Sequence, residues 1–168
     1  EVDLKDLQFN WGHGRRRLPV VLSTDEVRRL LGCMQGTPEL MAQLAYGGGL
    51  RVYELVRLRV KDVDLDRTQL HIRSGKGDKD RQTTLPEASR PFLKRHLERL
   101  RQLHQADREK DLPGVFLPGA LDRKYPSAGK QLQWQWLFPT TQLQKDSRSG
   151  IIRRHHLTTG AFQKAISR

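Results

Sequence analysis

Three consecutive glycines, Gly47-Gly48-Gly49, close the apolar run from Leu40 to Tyr46 and lead straight into Leu50-Arg51-Val52-Tyr53-Glu54-Leu55-Val56-Arg57-Leu58. Residues without a Cβ permit tight turns that other residues resist, so the run ends there and a new helix begins with Arg51 on its first turn. The start of a helix favours an anion through its free N–H groups and its dipole. After a short β-like stretch comes Ser74-Gly75-Lys76-Gly77-Asp78-Lys79-Asp80-Arg81, which sets Lys76 between two glycines at a hairpin tip. There its ammonium can reach a leaving oxygen while Lys79 and Arg81 hold neighbouring phosphates. An arginine clamp and a mobile lysine acid are the parts of a site that handles phosphodiesters.

The periodicity places these segments on elements. Residues 1–18 have no period and include Arg15-Arg16-Arg17, as expected for a linker or an arm that follows a polyanion. Ser23-Thr24-Asp25-Glu26 is a capping box, and Val27, Leu30, Leu31 and Met34 follow at helical spacing, predicting a helix to about residue 35. Thr37-Pro38-Glu39 starts a second helix, with proline at its first position, that runs through Tyr46. A third spans about residues 51–58. The period then changes to two: Val60, Val63 and Leu65, then Leu70 and Ile72, then Gln82 to Leu85 predict a small three-stranded antiparallel sheet. Phe92, Leu93, Leu97, Leu100 and Leu103 mark a long amphipathic helix after Pro86. Prolines, glycines and aromatics break the period from Pro113 to about Gly150, and a last helix is expected from about Thr158 to Ser167. The fold class is α+β, mostly α.

Charge narrows the partner. There are 31 Lys plus Arg against 19 Asp plus Glu, a formal net charge of +12 spread along the chain, and a polyanion is the natural partner. The 168 residues, 36% of them hydrophobic, suffice for one core. Cys33 is the sole cysteine, which excludes an internal disulfide and speaks against a thiolate zinc site; among Leu30, Leu31 and Met34 it is expected to be a small core residue. No run approaches the roughly 18 apolar residues of a spanning helix and no signal leader opens the chain, so a reducing cytoplasm is expected. The chain opens on Glu1 and reads as an excerpt of something longer.

Tyr46-Gly47-Gly48-Gly49-Leu50-Arg51-Val52-Tyr53-Glu54-Leu55, then Leu58-Arg59-Val60-Lys61-Asp62-Val63-Asp64, then Gly75-Lys76-Gly77-Asp78-Lys79-Asp80-Arg81 resemble in order and spacing the first half of a tyrosine recombinase catalytic domain. Leu117-Pro118-Gly119-Ala120-Leu121, Lys124-Tyr125-Pro126 and Trp134-Gln135-Trp136-Leu137-Phe138-Pro139 resemble the insertion that marks integron integrases, and Arg153-Arg154-His155-His156-Leu157 continues it. The resemblance covers residues 17–168. It implies a linker or DNA-contacting arm at 1–18 and a truncated catalytic domain at 19–168, with the insertion at about 113–150. It further implies a helical catalytic fold, incomplete at its C-terminus, that cuts and rejoins DNA through a 3′-phosphotyrosine, without metal or other cofactor, in the bacterial cytoplasm on nucleoid DNA. The full-length protein is expected to assemble as a tetramer on recombination sites, including folded single-stranded hairpins with extruded bases.

By the same resemblance Arg51 stabilises charge on the scissile phosphate and Lys76 is the general acid. Lys79, Arg81, Lys124, Trp134, Arg153, Arg154, His155 and His156 are the expected DNA contacts. The family's His-x-Leu-Arg-His box, its further histidine and its nucleophilic tyrosine have no counterpart among these residues. Tyr46 and Tyr53 flank Arg51 and Tyr125 lies in the insertion. The segment alone is therefore expected to be inactive, and a non-catalytic DNA-binding remnant or regulatory fragment is the alternative. An RNA-binding basic domain would explain the charge but not the spacing of Arg51 and Lys76.

Plainer roles exist for the same residues. Arg51 and Glu54 are an i, i+3 pair that can form a surface ion pair, and Lys76 can be a turn lysine. Asp62, Asp64 and Asp66 alternate like a calcium loop, but Arg67 and Arg73 stand where its glycine and glutamate belong. Adjacent His155 and His156 lack the partners of a metal site and suit stacking on bases better. Trp134 and Trp136, if on a strand, would share a face and can equally be core.

Overall fold

The computed structural model describes residues 21–73 and 79–167. The arm expected at 1–18 and the Lys76 tip lie outside the described residues. Helix α1 covers Thr24–Cys33 under the expected capping box: Glu26 N–H donates to Ser23 Oγ at 3.3 Å and Ser23 N–H to Glu26 Oε2 at 2.8 Å. Helix α2 is Gly36–Gly47; it begins two residues before Pro38, with Gln35 as N-cap, so the proline is not its first residue. Its apolar stripe of Leu40, Met41 and Leu44 is buried. Cys33 is exposed rather than core, because it ends α1 where the helix leaves the packed face.

Helix α3, Val52–Val56, is shorter than the sequence pattern implied. Beyond it the chain is claimed by a distant segment: Leu137 N–H donates to the Leu58 carbonyl at 2.7 Å and Val60 N–H to that of Gln135 at 3.0 Å. Val60 consequently opens a 3₁₀ turn, Val60–Asp62, instead of a strand. The expected sheet follows, with β1 Val63–Asp64, β2 Gln69–Ile72 and β3 Arg81–Thr84 antiparallel in the order β1-β2-β3. Leu70 and Ile72 point into the core from the inner face, and Ile72 pairs with Arg81 at the end nearest residues 74–78. Helix α4, Arg90–Glu109, buries Leu93, Leu97 and Leu100 against this core together with Leu137 and Phe138.

The stretch from residue 113 holds more regular structure than its composition indicated. A four-residue helix α5, Leu121–Lys124, and two 3₁₀ turns, Ala128–Lys130 and Leu132–Trp134, precede a second, two-stranded sheet of β4 Pro139–Lys145 and β5 Ile152–His156. This hairpin is an addition to the single sheet expected. Its β4 register slips between Pro139 and Leu143, and its apolar content is too low for a period-two signal. Helix α6, Thr159–Ile166, starts as expected: Ala161 N–H donates to the Thr158 hydroxyl at 3.1 Å, and Phe162 enters the core. No helix among the described residues is long and apolar enough to cross a membrane. The architecture is α+β with small antiparallel sheets.

Candidate active site

The glycine turn holds Arg51 by packing as much as by flexibility. Gly49 alone of the three takes a left-handed backbone, with φ +60°. A Cβ on Gly48 would fall 2.8 Å from the Leu44 carbonyl oxygen, and one on Gly47 would run into the Pro86 ring. Thr83 of β3 closes the contact, its hydroxyl donating to the Gly48 carbonyl at 2.8 Å. The turn is thus pressed against β3, the strand that leads out of the Lys76 loop.

Arg51 is the N-cap of α3 rather than a first-turn residue. A five-residue helix has little dipole to offer an anion, so that part of the expectation falls. What holds Arg51 is Glu54. The Arg51 N–H donates to Glu54 Oε2 and its Nη1 to Oε1, both at 2.9 Å. The Glu54 side chain is 4% exposed and that of Arg51 58%, so the ion pair coexists with an open guanidinium. Arg81 joins from β3, its Nη2 donating to Glu54 Oε2 at 2.7 Å and to the Gly49 carbonyl at 3.2 Å. Burial alone would raise the Glu54 carboxyl, but the Arg51 N–H and the two guanidiniums outweigh it and hold the group below its ordinary range. Lys79 is exposed on the same hairpin. The spacing Arg51-x-x-Glu54 was visible in the sequence, but not the second cation on Glu54.

A second cluster is built on Arg59, which no sequence signal marked as structural. Its buried guanidinium donates to the carbonyls of Trp134 and Phe116 at 2.5 and 2.7 Å and lies 3.8 Å from the Trp136 ring centroid. Burial lowers its pKa to about 10, against the pull of Asp62 and with help from Arg57, so it stays charged at neutral pH. Lys61 sits 3.2 Å over the Trp134 ring. The two tryptophans therefore meet cations instead of sharing a strand face, Trp136 with Arg59 and Trp134 with Lys61: Trp136 is buried and Trp134, at the end of a 3₁₀ turn, is half-buried beside a groove shared with Arg57, Lys61 and Arg73.

Two expected DNA contacts are internal. Arg153 is buried, ion-paired with Asp146 at 3.5 Å, and donates to the Ser149 hydroxyl at 3.1 Å. Arg154 is buried against Asp107, and its Nη1 donates to the carbonyls of Thr140 and Thr141 at 2.9 Å. In this structure both guanidiniums are taken up by internal partners, Arg153 within the β4–β5 hairpin and Arg154 between that hairpin and α4. His156 packs edge-on against Trp136, with centroids 4.9 Å apart, and its Nδ1–H donates to the Leu157 carbonyl at 2.7 Å. Burial, outweighing that bond and aided by Arg57, His155 and Arg59, keeps its ring below the usual histidine pKa. Nε2 of His155 is buried as well, and both rings are half-buried. Lys124 is exposed on α5, 5.4 Å from the Tyr125 ring. Among the described residues no three His, Cys, Asp or Glu side chains are placed to hold a metal; Asp62 serves Arg59 and Arg73, and Asp64 serves Arg67.

The geometry is thus an arginine held at a glycine turn, backed by the buried Glu54 and joined there by Arg81 of β3. Residues 20–168 match the profile of the Phage integrase family, and the chain belongs to that family. It is 48% identical over 153 residues to an integrase/recombinase of Escherichia coli, a match that takes in 91% of this chain and 45% of the relative. An integrase/recombinase of Pseudomonas aeruginosa matches to the same extent, and the tyrosine recombinase XerA of Thermococcus kodakarensis is 43% identical over 86 residues, 49% of this chain and 30% of that protein. The crystal structure of XerA recombinase superposes with a TM-score of 0.56 at 25% identity, over 94% of this chain and 44% of that one. The chain thus spans less than half the length of these relatives.

Proposed function

We propose that this chain is the part of a site-specific DNA recombinase that carries Arg51 and Lys76, with residues 19–168 belonging to its catalytic domain and 1–18 to an arm along the DNA. In the full-length protein a tyrosine hydroxyl from outside these residues attacks the scissile phosphorus and gives up its proton to solvent. The P–O5′ bond breaks, a 3′-phosphotyrosine forms, and Lys76 passes its proton to the departing 5′ oxygen. Arg51 stabilises the charge gathered on the non-bridging oxygens. The same steps in reverse rejoin a strand from a second site, on DNA held by a tetramer. The observation that carries this reading is the open Arg51 guanidinium fixed by the buried Glu54.

In the full-length protein, Arg51→Ala should lower strand cleavage by about 10²- to 10³-fold while changing DNA affinity only a few-fold, since the side chain acts on charge that develops in the transition state. Equal losses in cleavage and binding would overturn the role. The 168-residue chain alone should bind DNA with a steep salt dependence and form no covalent adduct, as no tyrosine stands in the nucleophile's place.

The finer reading is an integron integrase that takes up cassettes through folded single strands. Its support is the aromatic and cationic content of residues 113–150, with Trp134 beside an open groove and Lys124 next to Tyr125. Unpaired bases offer faces for such rings. The chain should therefore bind a hairpin with extruded bases at least tenfold more tightly than a plain duplex of equal length; equal affinity would leave a general recombinase.

A further inference from the structure

The strand that brings Arg81 to Glu54 is the one that leaves the Lys76 loop, and it touches the Arg51 turn at three points. These are Arg81 on Glu54, Arg81 on the Gly49 carbonyl, and Thr83 on the Gly48 carbonyl. On the Arg51 side this i, i+3 ion pair is open to water, where the attraction is screened and ordering a long side chain costs rotamer freedom. With Arg51 58% exposed, Glu54 alone is a weak restraint on where its guanidinium points. The carboxylate is held in turn: Oε2 takes both the Arg51 N–H and Arg81 Nη2, which leaves Oε1 aimed at Arg51 Nη1. Arg81 is 35% exposed, and its Nη2 is occupied by Glu54 and Gly49.

We infer that Arg81 is a positioning residue that aims Arg51 through their shared carboxylate, Glu54, and so couples β3 to the arginine that meets the scissile phosphate. This rests on the proposed role of Arg51. Arg81 then acts on the rate of cleavage rather than on the hold on DNA, although it lies among residues that would otherwise be counted as phosphate contacts.

The test uses full-length protein and two DNA substrates, one with an ordinary scissile phosphate and one in which a methyl group replaces a non-bridging oxygen. The second carries no charge for Arg51 to neutralise, so the cost of losing Arg51 should shrink on it. Arg81→Met should follow the same pattern, losing at least tenfold in cleavage rate on the phosphate and little on the methylphosphonate, with unchanged DNA affinity. Adding it to Arg51→Ala should cost nothing more. Arg81→Lys, which keeps the charge and one bond to Glu54, should recover part of the rate; if Arg81→Met does not fold, Arg81→Lys is scored on the same pair of substrates. Equal losses on both substrates, or additive losses in the double variant, would make Arg81 a phosphate contact or a fold residue and overturn the inference. If Arg51→Ala itself costs nothing, the role of Arg51 and the inference fall together; if Arg51 is sensitive and Arg81 is not, only the inference falls.

Discussion

Arg154 meets Asp107 fork to fork, its Nε and Nη2 each donating to a carboxylate oxygen at 2.6 Å, with the two side chains 9% and 7% exposed. The pair pins β5 to the end of α4 and caps two β4 carbonyls that the bulge leaves unpaired.

Removing one partner strands the other charge in a buried place, which typically costs about 3 to 5 kcal/mol. Arg154→Met and Asp107→Leu should each destabilise the chain by about that much in urea unfolding, and the double variant by clearly less. Arg154→Met should also leave the salt slope of DNA binding unchanged, since a lost phosphate contact would reduce it by about 1. A smaller slope would restore Arg154 to the DNA interface.

Lys76 is open to a chemical rescue. A positioned acid is worth about 10² to 10⁴ in rate when the leaving group is an alkoxide, and little when it is a thiolate. With a 5′-bridging phosphorothiolate substrate, Lys76→Ala in the full-length protein should regain most of its lost cleavage rate. Persistent loss would assign the acid elsewhere.

Acid should weaken the fold before the carboxylates titrate. His96 is buried, donates from Nε2 to the Leu137 carbonyl at 2.7 Å and packs 5.2 Å from Phe138. Burial, helped by Arg99 and opposed by that bond, lowers its pKa, and His156 is lowered in the same sense. The unfolded rings take up protons first, near pH 6.5, while the folded rings remain neutral, so stability falls as pH drops through about 6.5 toward the folded values. The slope is at most about 1.4 kcal/mol per pH unit for each ring. His96→Gln, which keeps a donor for Leu137 without a charge, should flatten the unfolding free energy between about pH 7 and 5. An unchanged slope would exclude His96 as its source.

Gly48 is needed for closeness rather than for an unusual backbone angle, since it lies in the right-handed region and a Cβ there would sit 2.8 Å from the Leu44 oxygen and 3.5 Å from that of Thr84. Gly48→Ala should cost about 1 to 3 kcal/mol by forcing the turn away from the Leu44 carbonyl at the end of α2. It should cost full-length cleavage more than it costs DNA binding. A neutral result in thermal unfolding would show that the turn can shift off Leu44 without loss.

What was legible in the sequence is whatever short-range physics decides. The capping box at Ser23, the strands around Leu70 and Ile72, the amphipathic α4 and the Thr158 cap all depend on neighbours within a turn or a strand pair, and each appeared where its pattern placed it, whereas Val60 and Leu65 fell outside β1. The Arg51-x-x-Glu54 spacing and the glycines before it belong to the same kind, although α3 proved shorter because Leu58 and Val60 pair with residues 135 and 137, far along the chain. The destinations of the arginines were not legible. Arg51, Arg59, Arg81, Arg153 and Arg154 are alike as letters in a basic chain, yet one is open, one lies between tryptophans, one shares a carboxylate and two are buried on Asp146 and Asp107. The sequence by itself determined that this is an arginine-rich α+β chain with a glycine turn before Arg51 and two strands on either side of Lys76. Only the tertiary structure decided which cations stay open to solvent, because a guanidinium leaves water when folding brings it a carboxylate and free carbonyls at hydrogen-bond distance, and for Arg81 and Arg154 those partners lie tens of residues away.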